Sequence, residues 1–200
     1  MALSIHPGLL LLWMVACKVW DTEAKPIAFV CNRAARRALN IVAELEGALS
    51  VCADLMTLSS PVLLPCTGLH AATWGEKSEL EKREDIVVSL KLLSENIRTI
   101  RNSTQSECGT LLLQRLENNI RNYLLIITNL QLNVYVFCLS SASALPVFCL
   151  DQQGSVLPPS LSCVPQSTQS LRRVLESYNQ LITGKLESFT LTLGDRCTSQ

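Results

Sequence analysis

The sequence predicts an all-α protein, an up-up-down-down long-chain four-helix bundle with two long crossover connections. Four segments repeat apolar residues at the three- and four-residue spacing of a buried helix face. The connections between them are long, short and long; long connections permit parallel neighbours, whereas short loops force antiparallel ones. Eight cysteines along the same region are typical of a small extracellular domain that disulfides stabilise.

An apolar leader precedes the first helix. Residues 9–17 are all apolar, a run that is too short to cross a bilayer but suits the core of a signal peptide. Ala24 and the small residue two positions before it favour cleavage at this point; cleavage after Cys17 and a buried N-terminal helix are the alternatives. We therefore expect a signal peptide over 1–24, one domain over 25–200, and a secreted, extracellular protein.

Helix A is predicted over 31–52 and helix B over 79–100, each with one apolar stripe. Two prolines in the long A–B connection predict an extended segment there, and Trp74 lies near its end. The stripes consist of Ala35, Ala38, Val42, Leu45 and Leu49 in helix A and of Ile86, Leu90, Leu93, Ile97 and Ile100 in helix B.

Helix C is predicted over 107–131 and helix D over 167–193. Only a short loop separates helices B and C, whereas a long C–D connection rich in serine, proline and cysteine leads to helix D. The inward-facing positions are Leu113, Leu116, Ile120, Tyr123, Leu124 and Ile127 in helix C and Leu171, Val174, Leu175, Tyr178, Leu181, Ile182, Leu186 and Phe189 in helix D.

The cysteines that follow the leader are even in number, which indicates complete pairing. In an up-up-down-down bundle, Cys31 at the start of helix A and Cys197 after helix D lie at one pole. Cys52 at the end of helix A and Cys108 at the start of helix C lie at the other. Four more lie in the long connections, and the sequence does not choose among their three possible pairings: Cys66, Cys138, Cys149 and Cys163.

Composition and motifs argue against several functional classes. The net charge is zero and no basic run occurs, so neither nucleic acid nor an acidic membrane is an expected partner. The uncharged residues 134–150 contain a proline and several serines, so we expect no membrane insertion. His70 is the only histidine after the leader and catalytic motifs such as HExxH are absent, so we expect no enzyme, no metal and no cofactor.

Several segments resemble the erythropoietin/thrombopoietin family of four-helix cytokines, above all its thrombopoietin branch. Residues 52–65, in which a cysteine precedes a PVLLP motif at the family's spacing, carry the most specific likeness. Cys108 before LLLQRL is similar to the family's cysteine-headed helix C, and residues 178–186 (YNQLITGKL) resemble the end of its helix D. Trp74 resembles the tryptophan before helix B.

The resemblance implies a haematopoietic cytokine that promotes megakaryocyte or thrombocyte production. It would join two copies of a single-pass receptor similar to the thrombopoietin receptor and activate kinase and STAT signalling, with a monomeric ligand. It also implies the disulfides Cys31–Cys197 and Cys52–Cys108. Because the chain ends soon after helix D, we expect a non-mammalian form without the long C-terminal extension of mammalian members.

The resemblance further implies two receptor sites, a tight one on helix D and the A–B connection and a weaker one on helices A and C. Lys185 matches the family's Gly-Lys pair as a contact cation; the alternative is a lysine whose stem packs on the bundle near a helix end. The first site comprises Lys185, Tyr178, Arg172 and Trp74, and the second comprises Arg33, Arg36, Arg37, Leu111, Arg115 and Leu125.

Three alternatives and one modification complete the predictions. Asn102 begins the only N-glycosylation sequon, in the B–C region, and we expect it to carry a glycan. The C–D connection could cover the outward leucines of helix C. Within the hormone class the alternative function is an erythropoietin-like hormone. From a different class, a secreted carrier of an apolar ligand would keep an internal cavity, whereas a cytokine has a filled core.

Overall fold

The structure is a computed structural model that describes residues 26–52, 55–132, 164–194 and 197. The predicted signal peptide and three cysteines of the C–D connection lie outside these residues. In the part of the chain that is described, no helix combines the length and the apolar character needed to cross a membrane.

Helix A consists of three short helices, α1 (Pro26–Cys31), α2 (Arg33–Leu39) and α3 (Val42–Val51). Two asparagines cause the breaks, because an asparagine side chain accepts backbone N–H groups at a helix start. Asn32 Oδ1 accepts from the N–H of Ala35 at 3.0 Å, and Asn40 Oδ1 accepts from the N–H of Val42 at 3.0 Å.

The stripe predicted for helix A is right in α3 and wrong in α2. Val42, Leu45 and Leu49 are buried, whereas Ala35 and Ala38 are exposed and α2 buries no residue. The predicted stripe assumed one continuous helix, in which residues spaced by three and four share a face. The break before α3 ends that register. Consequently α2 is a surface helix and contributes little to the core.

Helices B and C are continuous. After a short helix α4 (Ala71–Glu76), they are α5 (Glu79–Ser103) and α6 (Glu107–Thr128). A capping box joins Ser78 and Glu81 at the start of α5, and the Ser106 hydroxyl accepts from the N–H of Gly109 at 3.2 Å at the start of α6. Both apolar stripes predicted for these helices are largely buried, which confirms the predictions.

Helix D changes its winding along its length. It begins as α7 (Leu171–Gln180), passes through a π-helical turn (Leu181–Leu186), and ends as α8 (Glu187–Thr192). Residues 167–170, predicted as the first turn of helix D, instead lie in a strand. That strand, β2 (Gln166–Ser170), pairs antiparallel with β1 (Thr57–Leu64) in the extended A–B connection.

Two disulfides and the B–C loop establish the topology. Cys31–Cys197 joins the start of helix A to the end of helix D, with Cα atoms 5.4 Å apart, so these helices are antiparallel. Cys52–Cys108 joins the end of helix A to the start of α6 across 6.0 Å, so helix C is also antiparallel to helix A. Helix B precedes helix C by a short loop and is therefore parallel to helix A. The predicted up-up-down-down order and both pairs are confirmed.

The core lies between the four helices and is filled by aliphatic and aromatic side chains. Tyr123 and Tyr178 stack edge-to-face at its centre, with ring centroids 6.3 Å apart. The side chains with no exposed surface include Leu45, Ile86, Leu90, Leu93, Ile97, Leu113, Leu116, Ile120, Ile127, Leu175 and Phe189.

Candidate functional site

A cleft between helices A and D gathers the three arginines of α2. It has a volume of about 190 Å³. Its wall on helix D belongs to the π-helical turn and the start of α8. The lining side chains are Phe29, Arg33, Arg36, Arg37, Asn40, Tyr123, Ile182, Thr183, Leu186 and Glu187. We call this site the arginine cleft.

Arg36 is the central side chain of the arginine cleft. Its guanidinium donates to both carboxylate oxygens of Glu187, Nε to Oε2 at 2.9 Å and Nη2 to Oε1 at 3.0 Å. Nη1 donates to the carbonyls of Phe29 and Val30 at the end of α1. The side chain is only 9 % exposed. Arg36 therefore fastens α1 and α2 to helix D, and the receptor contact that the resemblance implied for it stays a prediction.

The charge of Glu187 is held by the arginines around it. The hydrogen bonds from Arg36 lower the pKa of Glu187 below its ordinary value, and the positive charges of Arg36, Arg33 and Arg37 lower it further. Burial acts in the opposite sense but is outweighed. Three arginines thus face one carboxylate, and the cleft keeps a net positive charge.

The residues that the family resemblance grouped in the second receptor site lie on two different elements. The arginines of α2 line the cleft beside helix D, whereas Leu111, Arg115 and Leu125 lie on the outer surface of α6. The grouping was implied by the family resemblance, and a single site made of both sets stays a prediction. With the break at Asn40, the position of α2 no longer follows from the register of α3.

Part of the second predicted receptor site lies on an exposed strip of α6. Leu111 is 58 % and Leu125 64 % exposed, and polar residues occupy the surface between them. Arg115 donates to Glu44 of α3 at 2.8 Å, which places the strip next to helix A as predicted. We call Leu111, Arg115 and Leu125 with the asparagines at 118 and 122 the α6 strip.

Lys185 lies inside the protein rather than on a receptor-facing surface. Its residue is only 6 % exposed, and its ammonium donates to Asp85 Oδ1 at 2.6 Å and to the Cys66 carbonyl at 2.7 Å. The ammonium also lies 5.6 Å from the centre of the Trp74 ring. Lys185 is therefore not the surface cation that the sequence predicted. It instead links helix D to the A–B connection and to helix B.

The cluster around Lys185 joins the A–B connection to helices B and D. Asp85 of α5 also pairs with Lys77, and the Trp74 indole donates to Ser188 Oγ at 3.1 Å. Trp74 is 5 % exposed, so it is a core residue and not the surface contact that the resemblance implied. Sequence reasoning missed Asp85, whose position beside Glu84 is typical of a solvated helix surface. Its partners come from distant parts of the chain, so no local pattern marks it.

Tyr178 is also buried, so only Arg172 of the first predicted site faces solvent. The Tyr178 hydroxyl donates to Asn119 Oδ1 at 2.6 Å, and Asn119 Nδ2 donates to the Leu39 carbonyl at 2.9 Å. Burial raises the pKa of the Tyr178 hydroxyl, which stays protonated as this donor role requires. These bonds connect helices D and C to the end of α2.

The remaining predicted residues occupy defined positions. Cys66 is disulfide-bonded, and the other three connection cysteines lie outside the described residues. Asn102 is exposed in the last turn of α5, and its glycosylation stays a prediction. Within the described ranges, no group of histidine, cysteine or carboxylate side chains is arranged to hold a metal ion.

Comparison with known proteins gives one family. A family model described as Erythropoietin/thrombopoietin matches residues 29–200. The chain is 32 % identical over 114 residues to thrombopoietin of Mus musculus and 31 % identical over 101 residues to thrombopoietin of Rattus norvegicus. It is also 28 % identical over 121 residues to erythropoietin of Takifugu rubripes.

The matched regions cover different shares of these relatives. The mouse and rat alignments include 56 % and 50 % of this chain but only 32 % and 31 % of the relatives, so the match spans about a third of those thrombopoietins. The Takifugu alignment includes 60 % of this chain and 64 % of that erythropoietin.

Proposed function

The chain belongs to the erythropoietin/thrombopoietin family, and on this premise we propose that it is a secreted haematopoietic cytokine that joins two receptor molecules. The observation that carries the proposal is the family match over residues 29–200, which includes all four helices of the bundle. The family consists of cytokine hormones, so the chain is not an enzyme. We further propose that its action promotes megakaryocyte or thrombocyte production.

Two separate surfaces on either flank of helix A support the joining of two receptors. Glu44 of α3 pairs with Arg115 of the α6 strip, whereas the arginines of α2 line the cleft beside helix D. We assign the tight site to the exposed side of helix D with the arginine cleft, including Arg172. We assign the weak site to the α6 strip, where Leu111 and Leu125 supply apolar surface.

The proposed mechanism is that the ligand brings two receptor molecules together. The tight site captures a first receptor on a membrane. The second receptor then binds from the same membrane, where the effective concentration is far above that in solution, so a weak site suffices. The ligand holds the two receptors in one geometry, and a rigid, disulfide-linked bundle is suited to that task.

An erythropoietin-like hormone is the alternative within the same class. The alignment with Takifugu erythropoietin, at 121 residues, is longer than that with mouse thrombopoietin, although its identity is lower. Both hormones would act through the same mechanism, so receptor choice distinguishes them.

The test is binding of the disulfide-intact chain to immobilised ectodomains of the thrombopoietin receptor and the erythropoietin receptor, side by side. Selective binding with a Kd of about 1 nM, near −12 kcal/mol, to the thrombopoietin receptor is the expected result. Preference for the erythropoietin receptor would transfer the assignment to the alternative. Binding to neither, with the disulfides intact, would contradict the cytokine proposal.

A further inference from the structure

The arginine cleft combines an apolar floor with a basic rim. Phe29, Ile182 and Leu186, all at most 5 % exposed, form the floor, while Arg33 and Arg37 are exposed at its edge. A site of this composition favours a partner that presents an apolar group and negative charge together.

The charges at the rim are available to a partner. Arg36 engages both oxygens of Glu187, so this carboxylate is occupied. Neither Arg33 nor Arg37 forms an ion pair with a carboxylate among the residues that the structure describes. A guanidinium binds a carboxylate through two parallel hydrogen bonds, which makes it the side chain best suited to such a partner.

We propose that the arginine cleft receives an acidic loop of the receptor, which inserts one large apolar side chain while its carboxylates pair with Arg33 and Arg37. This inference rests on the proposed function and adds the chemistry of the partner. The insertion removes the remaining apolar surface of the floor from water. The flanking carboxylates attract the positive rim and accelerate association.

The dimensions of the cleft favour a single side chain over a small-molecule ligand. Pockets for small molecules usually measure about 300–1,000 Å³ and enclose most of the ligand. The arginine cleft, at about 190 Å³ and open to solvent at its rim, is smaller. A protein partner needs no larger cavity, because the rest of its contact area lies on the surrounding surface.

The basic rim is tested by reversing its charges. The double variant Arg33→Glu/Arg37→Glu changes two exposed side chains, and Arg98→Glu changes an exposed arginine on α5 as the matched control. Association rates are measured on whichever receptor ectodomain binds the wild-type chain, across a salt series. We expect the double variant to associate about tenfold more slowly at low salt, with a weaker salt dependence, and the control to match the wild type.

The apolar insertion is tested by filling the cleft. Thr183→Trp places a large side chain at its lining, while Thr99→Trp makes the same change at an exposed site on α5. The two threonines are matched, because each hydroxyl donates to the carbonyl four residues earlier, at 2.7 Å and 2.9 Å. We expect Thr183→Trp to weaken binding about tenfold or more and Thr99→Trp to leave it unchanged.

The outcomes separate this inference from the proposed function. Circular dichroism and thermal unfolding first confirm that each variant folds, and if one variant does not fold, the other decides alone. If the wild-type chain binds an ectodomain and both cleft variants bind equally well, the acidic-loop site is overturned while the cytokine proposal stands. If the wild-type chain binds neither ectodomain, the proposed function fails and this inference with it.

Discussion

Helix A and the pair formed by helices B and C are held in the bundle by different interactions. α5 and α6 are continuous helices of 25 and 22 residues, capped at their starts by serine and packed through buried aliphatic stripes. Helix A is divided into pieces of 6, 7 and 10 residues, and the middle piece, α2, has no buried residue. Apolar burial therefore positions helices B and C but does not position α2.

Apolar burial helps to hold α1 and α3, whereas covalent and polar links position α2 between them. A disulfide fixes each end of helix A, Arg36 binds Glu187 of helix D, and Asn119 of helix C donates to the Leu39 carbonyl. Because α2 has no buried residue and meets the core through the partly buried Leu39, its exposed side chains can change with little loss of packing. The comparison teaches that a helix without buried residues, α2, can carry a candidate binding surface, while the second candidate surface lies on the well-packed α6.

The largest effect should come from removing the link at the start of helix A. Cys31→Ala/Cys197→Ala opens a loop of 166 residues, for which the chain-entropy model gives a loss of about 5 kcal/mol in the free energy of unfolding. Urea denaturation measures it. The control Cys52→Ala/Cys108→Ala opens 56 residues and should cost about 4 kcal/mol. Unchanged stability in both double variants would show that helix A is held without its disulfides.

A core truncation in the B–C pair should have the next largest effect. Leu116→Ala in α6 removes a side chain with no exposed surface and should cost about 3 kcal/mol through lost burial and the cavity left behind. Leu111→Ala, on the same helix but 58 % exposed, is the matched control and should change stability by less than about 0.5 kcal/mol. Equal losses would contradict the described orientation of α6.

Breaking the cluster around Lys185 should have an intermediate effect. Asp85→Ala leaves the buried ammonium without its carboxylate and should cost about 2 kcal/mol, less than for a fully buried pair because Asp85 is 20 % exposed. Adding Lys185→Met removes the stranded charge, so the double variant should be more stable than Asp85→Ala alone. Additive losses in this double-mutant cycle would show that the two side chains do not interact.

The smallest effect should be the pH-dependent contribution of Glu187. The pKa of Glu187 is lower in the folded protein than in the unfolded chain, so its stabilisation is fully present above the unfolded pKa of about 4.3. It is lost as the pH falls through the folded pKa. Relative to Glu187→Gln, the wild-type chain should be about 1 kcal/mol more stable near neutral pH, and this difference should shrink in acid. Arg36→Met should remove most of this pH dependence, because Arg36 supplies the hydrogen bonds that are its largest cause; an unchanged profile would contradict the pairing.

Helices B, C and D could be predicted from sequence because their apolar periodicity is local and regular. Ile86, Leu116 and Phe189 are buried as predicted, and the long–short–long connections indicated the topology. Helix A was predicted less well, because its breaks depend on Asn32 and Asn40. An asparagine side chain accepts backbone N–H groups and interrupts a helix only where the neighbouring backbone conformation permits it. A run of alanine and arginine is compatible with both a continuous and a broken helix.

The candidate sites were harder to predict than the fold. Lys185, Asp85 and Cys66 are far apart in the sequence, and their burial arises only when the A–B connection folds onto helices B and D. Arg36 binds a carboxylate 151 residues away. A charged side chain in a sequence is usually solvent-exposed, and no local signal marks the exceptions. Leu111 and Leu125, by contrast, were predicted correctly as outward-facing, because α6 is regular.

The central claim, that this bundle acts by joining two receptors, is tested most directly by a dose–response measurement of STAT phosphorylation in cells that express the receptor it binds. A ligand that joins two receptors should give a bell-shaped response, because excess ligand occupies each receptor separately. Leu111→Arg/Leu125→Arg should bind the first receptor but fail to signal, while the exposed control Val88→Arg should signal normally. A response that rises to a plateau, with full signalling by the α6 double variant, would contradict the account.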